Sequence, residues 1–426
     1  MTSASSAEKL TAFSRSGAVG SRLDYSSAVV NPPALPIDLM ASFGPWRIAA
    51  YRSFAPVEQQ WRALEQTAIG FPFQHFDWLN IWHEQIGRPS GADPFIVLVT
   101  DESGRPVMVL PLVIERVLGI RRLAAMGDPV CDYHGPLIAP DLATQLTPGA
   151  VRTLLDHILR LASADYVLLT RIPPQLSGGI ANPFAALKLQ PFSASAHRTS
   201  LGADWESFYA ARRSTKTRRR FREKEKALAK LGPISFEIVT APSERLALAA
   251  EMMALKASQL QATAGTFNTF ADTHVQNFFR AVASDPAVAN VYMFRLKVGN
   301  RLAAATAGLL QNSCFYYQVP VYPDGELQRY SPGNLLLHKI MAWAIDQGCT
   351  HFDFTIGDEP YKLDWCEETW ILGCGAWTGT LRGRIGAGIA LAEIAAKRRV
   401  KQSPKLMAGA VRLRNLLGRL RARHGS

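Results

Sequence analysis

Three things are scarce in this chain of 426 residues: cysteine, long apolar runs, and acid near its end. The five cysteines, Cys131, Cys314, Cys349, Cys366 and Cys374, are odd in number and scattered without metal-ligand spacing. That argues against a disulfide framework and a cysteine metal centre, and predicts free thiols in a reducing compartment with no metal bound. No run reaches the roughly 18 uninterrupted apolar residues of a membrane-crossing helix, and MTSASSAEKLTAFSRSGAVG lacks the apolar core of a signal peptide. A cytoplasmic location is expected. From Leu381 to Ser426 one acid, Glu393, faces twelve Lys or Arg, so nearly all of the formal charge of +12 belongs to the tail. The body is close to neutral, and no DNA partner is expected.

What is present is globular. Hydrophobic residues make up 48% and charged ones 19%, which excludes a disordered chain, and the length suggests two domains and a tail. Residues 1–44 are Ser/Ala/Pro-rich and read as a flexible leader. A first unit, 45–199, contains helices around 57–70 and 77–86 and a hairpin turning at Ser103–Gly104. The loop GDPVCDYHGPLI, a helix from Pro148 to Ser163 and the strand DYVLLTRI follow. A second unit, 200–381, repeats this order with helices at 205–231 and 244–262 and a hairpin turning at Gly299–Asn300. The strand SCFYYQVPVY, a helix opening at Gly333 and the strand HFDFT follow. Thr147-Pro148-Gly149 falls without gaps on Ser331-Pro332-Gly333, which predicts an internal duplication. Residues 382–426 form a basic tail, helical or disordered.

The richest stretch runs from Gln328 to Trp365. Gly333 follows Pro332 at a helix start, where free N–H groups and the helix dipole favour an anion such as a pyrophosphate. Arg329 adds charge there, and the amides around Gly333 and Asn334 donate. An ordinary helix start, with Ser331 as cap and Pro332 in the first turn, fits equally. In the next strand Phe352 and Phe354 take one face, and His351, Asp353 and Thr355 the other. Asp353 can orient or deprotonate an amine, while Tyr361 or Lys362 can protonate a leaving group or bind anionic substrate. In the plainer alternative Asp353 caps a loop and Tyr361 joins Trp365 in the core. An acid amid apolar sequence needs a partner, which favours a role for Asp353.

Three further segments carry charge or polarity. The run Arg212–Lys230 holds ten Lys or Arg against Glu223 and Glu225. It is either a solvated helix face or a site for phosphates of a nucleotide, a lipid or RNA, with Lys216 and Arg219 the residues to test. Asp132, Tyr133 and His134 can line an acceptor pocket facing the second unit, although His134 is as readily a structural histidine. Cys131 has no base beside it in the sequence to make it a nucleophile. VRLRNLLGRLRAR in the tail suits an anionic membrane surface or a protein partner, or simply keeps the chain in solution.

These motifs resemble a family. FQHFDWL, PLV, GDPVCDYHGPL, RRSTKTRRRFREKEK, YSPGNLLLHKIMAWAIDQG and FDFTIGDEPYKLDW look like the CelD-type acyltransferases linked to bacterial cellulose synthesis. Those belong to the wider GNAT superfamily and are similar to the two-lobed FemAB-type transferases. The resemblance covers roughly Trp46 to Trp377. It implies an α/β fold of two tandem GNAT-like lobes, each a twisted mixed sheet flanked by helices, with acetyl-CoA or another acyl-CoA as co-substrate of the second lobe. In the family a Q/R-x-x-G-x-G/A turn cradles the coenzyme A pyrophosphate. Its counterpart here is read as Arg329-Tyr330-Ser331-Pro332-Gly333-Asn334-Leu335, with one extra spacer and no final small residue. The implied reaction is direct transfer to a small-molecule, glycan-linked or lipid-linked acceptor in exopolysaccharide, cellulose or envelope synthesis. Asp353 would be the base, Tyr361 the acid and Lys362 an acceptor-binding residue. Two alternatives stay open: a FemAB-like transferase using aminoacyl-tRNA, or a non-catalytic partner of a membrane polysaccharide synthase. In the second, the tail would dock the chain at the inner membrane.

Overall fold

The computed structural model describes residues 40–264, 268–285, 288 and 290–403, all within the unit Pro36–Ser426. Residues 1–39 of the leader and the Arg/Leu-rich stretch after residue 403 lie outside the described residues.

The first half opens with β1 (Met40–Phe43), formed by the end of the leader, and β2 (Trp46–Tyr51). It continues through α1 (Glu58–Glu65), α2 (Phe76–Trp82), β3 (Asp93–Thr100), β4 (Pro106–Val117) and β5 (Ile120–Ala125). Then come β6 (Leu137–Ile138), α3 (Pro140–Gln145), α4 (Pro148–Ala162), β7 (Tyr166–Ile172) and β8 (Gln190–Ser200). The second half has α5 (Trp205–Arg212), α6 (Thr215–Ala229), β9 (Ile234–Ile238), α7 (Pro242–Ala264), α8 (Thr273–Ser284), β10 (Val291–Val298) and β11 (Arg301–Gln311). It closes with β12 (Cys314–Val321), α9 (Pro332–Asp346), β13 (His351–Ile356), α10 (Pro360–Leu363), β14 (Glu368–Thr378) and α11 (Leu381–Gln402).

All the described strands join one mixed sheet, ordered β1-β2-β3-β4-β5-β7-β14-β8-β13-β12-β11-β10-β9, with β6 on β4. Each half has the same plan. Three antiparallel strands, β3-β4-β5 or β10-β11-β12, lead through a helix to a parallel fourth, β7 or β13. A parallel pair needs a crossover, and α4 and α9 supply it. The last strand of each half crosses over: β14 pairs β7, β8 pairs β13, and the two pair with each other. Each lobe is thus completed by the other's final strand. This tandem-lobe mixed α/β architecture is the one the sequence implies.

Local chemistry explains where the elements break. The predicted helix over 205–231 is two helices, because Ser214 starts a new one by accepting from the Thr217 N–H. The helix α9 is apolar on nearly every side and lies buried, packing Leu336, Leu337, Ile340 and Met341 against Phe315 and Phe352. Truncating one such ring to alanine costs about 3–5 kcal/mol. Among the described residues no helix is long and apolar enough to cross a membrane.

Candidate active site

The strands β12 and β13 pair for only three residues, Cys314–His351, Phe315–Phe352 and Tyr316–Asp353, and then part. Both are distorted where they separate. On β12 the register against β11 shifts, with Val319 at φ 49°, and on β13 Thr355 has φ 59°. Left-handed backbone at β-branched residues costs on the order of 1–3 kcal/mol, so neighbouring bonds must hold it. The Thr355 N–H donates to Asp353 Oδ1 at 2.7 Å and its hydroxyl to the Tyr317 carbonyl at 3.3 Å. The Thr306 hydroxyl donates to the Gln318 carbonyl at 2.6 Å.

A cleft of about 640 Å³ runs from this gap to the start of α9, touching Gln318 and Thr355 at one end and Gln328 and Gly333 at the other. At the helix start Ser331 adopts φ 58°, so its hydroxyl does not cap the helix. That hydroxyl accepts instead from Lys224 Nζ of α6 at 2.7 Å. The Ser331 carbonyl takes the Asn334 and Leu335 N–H groups at 3.1 and 3.2 Å. Pro332 has no N–H, so the first backbone donor of the helix is the amide of Gly333, a residue that lines the cleft. A Cβ at Gly333 would come 3.3 Å from the Tyr322 ring.

The left-handed residue of the turn is Ser331, directly before Pro332 and Gly333. Gln328, at the start of that stretch, lines the cleft, and so do Ser331, Gly333 and Asn334. The Leu335 side chain is instead buried in the core, and Arg329 is exposed, over the Tyr330 ring and 3.6 Å from Glu326.

The first lobe reaches into the same cleft. Asp132 lines it and accepts from Gln318 Nε2 at 2.8 Å. Burial raises the Asp132 pKa, opposed by hydrogen bonding to Gln318, the Arg171 charge, hydrogen bonding to Thr355 and the Lys362 charge. Tyr133 is wholly buried, and its hydroxyl donates to Asp353 Oδ1 at 2.7 Å. Asp353 therefore sits beneath the cleft, bonded on one oxygen by the other lobe's tyrosine and by its own turn. Burial lifts it to about 6, opposed by those bonds and by Arg198. His134 is buried with Nδ1 against Thr170, and burial lowers it to about 4, which keeps it neutral. It does not line the cleft.

From α10, Lys362 and Tyr361 line the cleft. Lys362 Nζ is held by the Ile356 carbonyl at 3.0 Å and Glu359 at 2.8 Å. Burial raises Tyr361 well above an ordinary phenol, so it stays protonated. Lys256 of α7, which the sequence did not mark, also lines the cleft, donates to the Pro320 carbonyl at 3.2 Å and is lowered by burial. Lys216 and Arg219 are exposed on α6 away from the lining, and Arg219 pairs with Glu223 at 3.4 Å. The Cys131 thiol is buried, accepts from Trp78 Nε1 at 3.2 Å and is pushed up by burial, the opposite of an activated nucleophile. Among the described residues no group of three or more His, Cys, Asp or Glu could hold a metal ion.

Residues 215–363, which build most of this cleft, match the family described as acetyltransferase (GNAT) domain. No curated protein matches the chain. Among solved structures it is similar to FemX, at 12% identity over 74% of this chain and 94% of that one, with a TM-score of 0.51. It is also similar to L-PGS from Bacillus licheniformis (12% identity, 78% and 96% of the two chains, TM-score 0.48). A tandem GNAT protein from the clavulanic acid biosynthesis pathway aligns at 13% identity over 79% and 99%, with a TM-score of 0.42. The likeness to FemX is one of fold. The match to the GNAT acetyltransferase family model is confined to residues 215–363 of the second half.

Proposed function

We propose that this GNAT-fold chain moves an acyl group from acetyl-CoA or another acyl-CoA directly onto an amine or hydroxyl of an acceptor held between the lobes. The observation that carries the proposal is one continuous cleft with an uncapped helix start at one end and, at the other, parted strands facing a carboxylate with a raised pKa. Gly333, Gln328 and Lys224 bind the donor's pyrophosphate. The facing edges of β12 and β13 hold the acyl arm, and their N–H groups polarise the thioester carbonyl.

Asp132 takes the role expected of Asp353, because it faces the cleft while Asp353 lies beneath it. As the acceptor attacks the thioester carbon, its proton passes to Asp132, the C–S bond breaks, and Tyr361 protonates the departing thiolate. Asp353 positions the Tyr133 loop that carries Asp132. Lys362 and Lys256 bind the acceptor. That acceptor is a small molecule or a glycan- or lipid-linked one of envelope or exopolysaccharide synthesis, a reading that rests on the family resemblance.

Titrating purified protein with acetyl-CoA and longer acyl-CoAs by calorimetry, with an Asp132→Asn variant alongside, tests this. Saturable binding by both proteins, with turnover lost only in the variant, is the expected result. No binding by the wild type up to millimolar donor would remove the acyl-CoA reading.

A second reading draws on the Lys224–Ser331 bond, which brings the basic helix α6 to the mouth of the cleft. It favours a polyanionic donor such as an aminoacyl-tRNA. Binding of tRNA that weakens steeply with salt would support it.

A further inference from the structure

The helix α11 has two apolar faces where a surface helix needs one. Its inner face lies on the first lobe, with Ala387, Ala390, Leu391 and Ile394 against Ile120, Tyr166 and Leu168. The approach is close: a Cβ at Gly383 would fall 2.0 Å from the Asp165 carbonyl oxygen, and one at Gly386 would fall 2.9 Å from the Tyr166 ring. This face alone satisfies the fold. Yet Leu381, Ile385 and Ile389 are 73%, 60% and 54% exposed. Their four-residue spacing places them in one stripe on the opposite side, which Ala392 and Ala396 extend.

The charge around that stripe is one-sided. Between Leu381 and Gln402 six Lys or Arg accompany a single acid, Glu393. Arg384 and Arg399 are exposed, while Arg382 lies 3.7 Å from Asp165 and Lys397 2.6 Å from Glu393. A second exposed leucine site adjoins the helix. Leu118 tips the β4–β5 turn at φ 53° and is 85% exposed, two residues before Ile120, which packs on α11. A leucine in a left-handed turn position gives the fold nothing that asparagine or glycine would not give better.

We infer that the outer face of α11, with the Leu118 turn beside it, is a docking surface for an anionic lipid bilayer, the leucines and isoleucines entering the headgroup boundary and the arginines pairing with lipid phosphates. A narrow apolar stripe flanked by cations suits shallow burial in such an interface, whereas a protein partner would need a broader apolar patch. This docking is independent of the acyl-transfer reading.

The test is co-sedimentation of the full chain with vesicles of phosphatidylglycerol and phosphatidylcholine in equal parts, and with phosphatidylcholine alone. The wild type is expected to bind the anionic vesicles selectively. The triple substitution Leu381→Ser, Ile385→Ser, Ile389→Ser removes only exposed side chains and is expected to bind at least about tenfold more weakly with an unchanged melting temperature. Arg384→Glu with Arg399→Glu gives a second variant with the same expected loss. Failure of the wild type to bind anionic vesicles would overturn the inference. So would binding that survives both variants and disappears only when residues 404–426 are removed. A triple variant that binds vesicles normally but loses a wild-type dimer in light scattering would also overturn it, making the stripe a contact between copies.

Discussion

The two lobes share a plan, and a hydroxyl residue followed by Pro-Gly opens the crossover helix in each, yet the two helix starts do opposite things. At α4, Thr147 is extended, and its hydroxyl accepts from the Ala150 N–H at 3.2 Å, closing the end on itself. At α9, Ser331 is left-handed, gives its hydroxyl to Lys224 and leaves Gly333 facing a cleft. The gaps between the parallel strands differ in the same way. In the gap-free register of the two helices Arg171 corresponds to Thr355, and both are left-handed. Around Arg171 the first lobe fills its gap with its own loop: the His134 N–H donates to the Arg171 carbonyl, and the Arg171 guanidinium bonds the Cys131 carbonyl and pairs with Asp128. The loop that plugs the first gap carries Asp132 into the second. The first lobe's gap is filled by its own loop, and the second lobe's opens into the cleft.

The sharpest way to break this contrast is to remove what the first lobe delivers. Asp132→Asn is expected to lower kcat by about a hundredfold to ten-thousandfold with donor affinity intact, read by steady-state kinetics beside calorimetry. Because burial raises the Asp132 pKa, the wild-type rate should fall on acidification at a pH above the usual carboxylate range.

Asp353 sharpens the contrast through stability, since its gap-free counterpart in the first lobe is the uncharged Leu169. With its pKa lifted to about 6, the folded chain holds this proton more tightly than the unfolded one. Stability should therefore fall as pH rises from about 4 to about 6, by about 1–3 kcal/mol, and Asp353→Asn should flatten that slope in denaturant titrations.

The smallest expected effect separates the two caps. Thr147→Ala should cost about 1 kcal/mol of stability and leave donor affinity unchanged. Ser331→Ala should change the melting temperature little and weaken donor binding. Equal stability losses in the two variants would mean that both hydroxyls serve as ordinary caps.

Much of the second lobe is legible in the sequence because its signals are local. The turn chemistry at Gly299, the apolar helix after Pro332 and the alternation around Phe352 and Phe354 all act within a few residues. The exchange of β8 and β14 is not local. QPFSASAHRTS is rich in small and polar residues, and its place at the centre of the sheet depends on a partner strand well over a hundred residues away. The bond from Tyr133 to Asp353 spans 220 residues, and only the assembled lobes reveal that Asp353 is covered while Asp132 faces the cleft. The left-handed backbone of Ser331 was hidden for a different reason: a serine in that conformation has no signature in sequence. Lys224 was hidden among nine other cations of its run.

The measurement that bears most directly on the contrast is a calorimetric titration of an acyl-CoA into three proteins: the wild type, Gly333→Trp and Gly149→Trp. Gly149 is the exposed counterpart at the self-capped helix. Binding is expected to vanish in Gly333→Trp and to match the wild type in Gly149→Trp, with both variants folded by their melting curves. Undiminished binding in Gly333→Trp, or loss in Gly149→Trp alone, would contradict it.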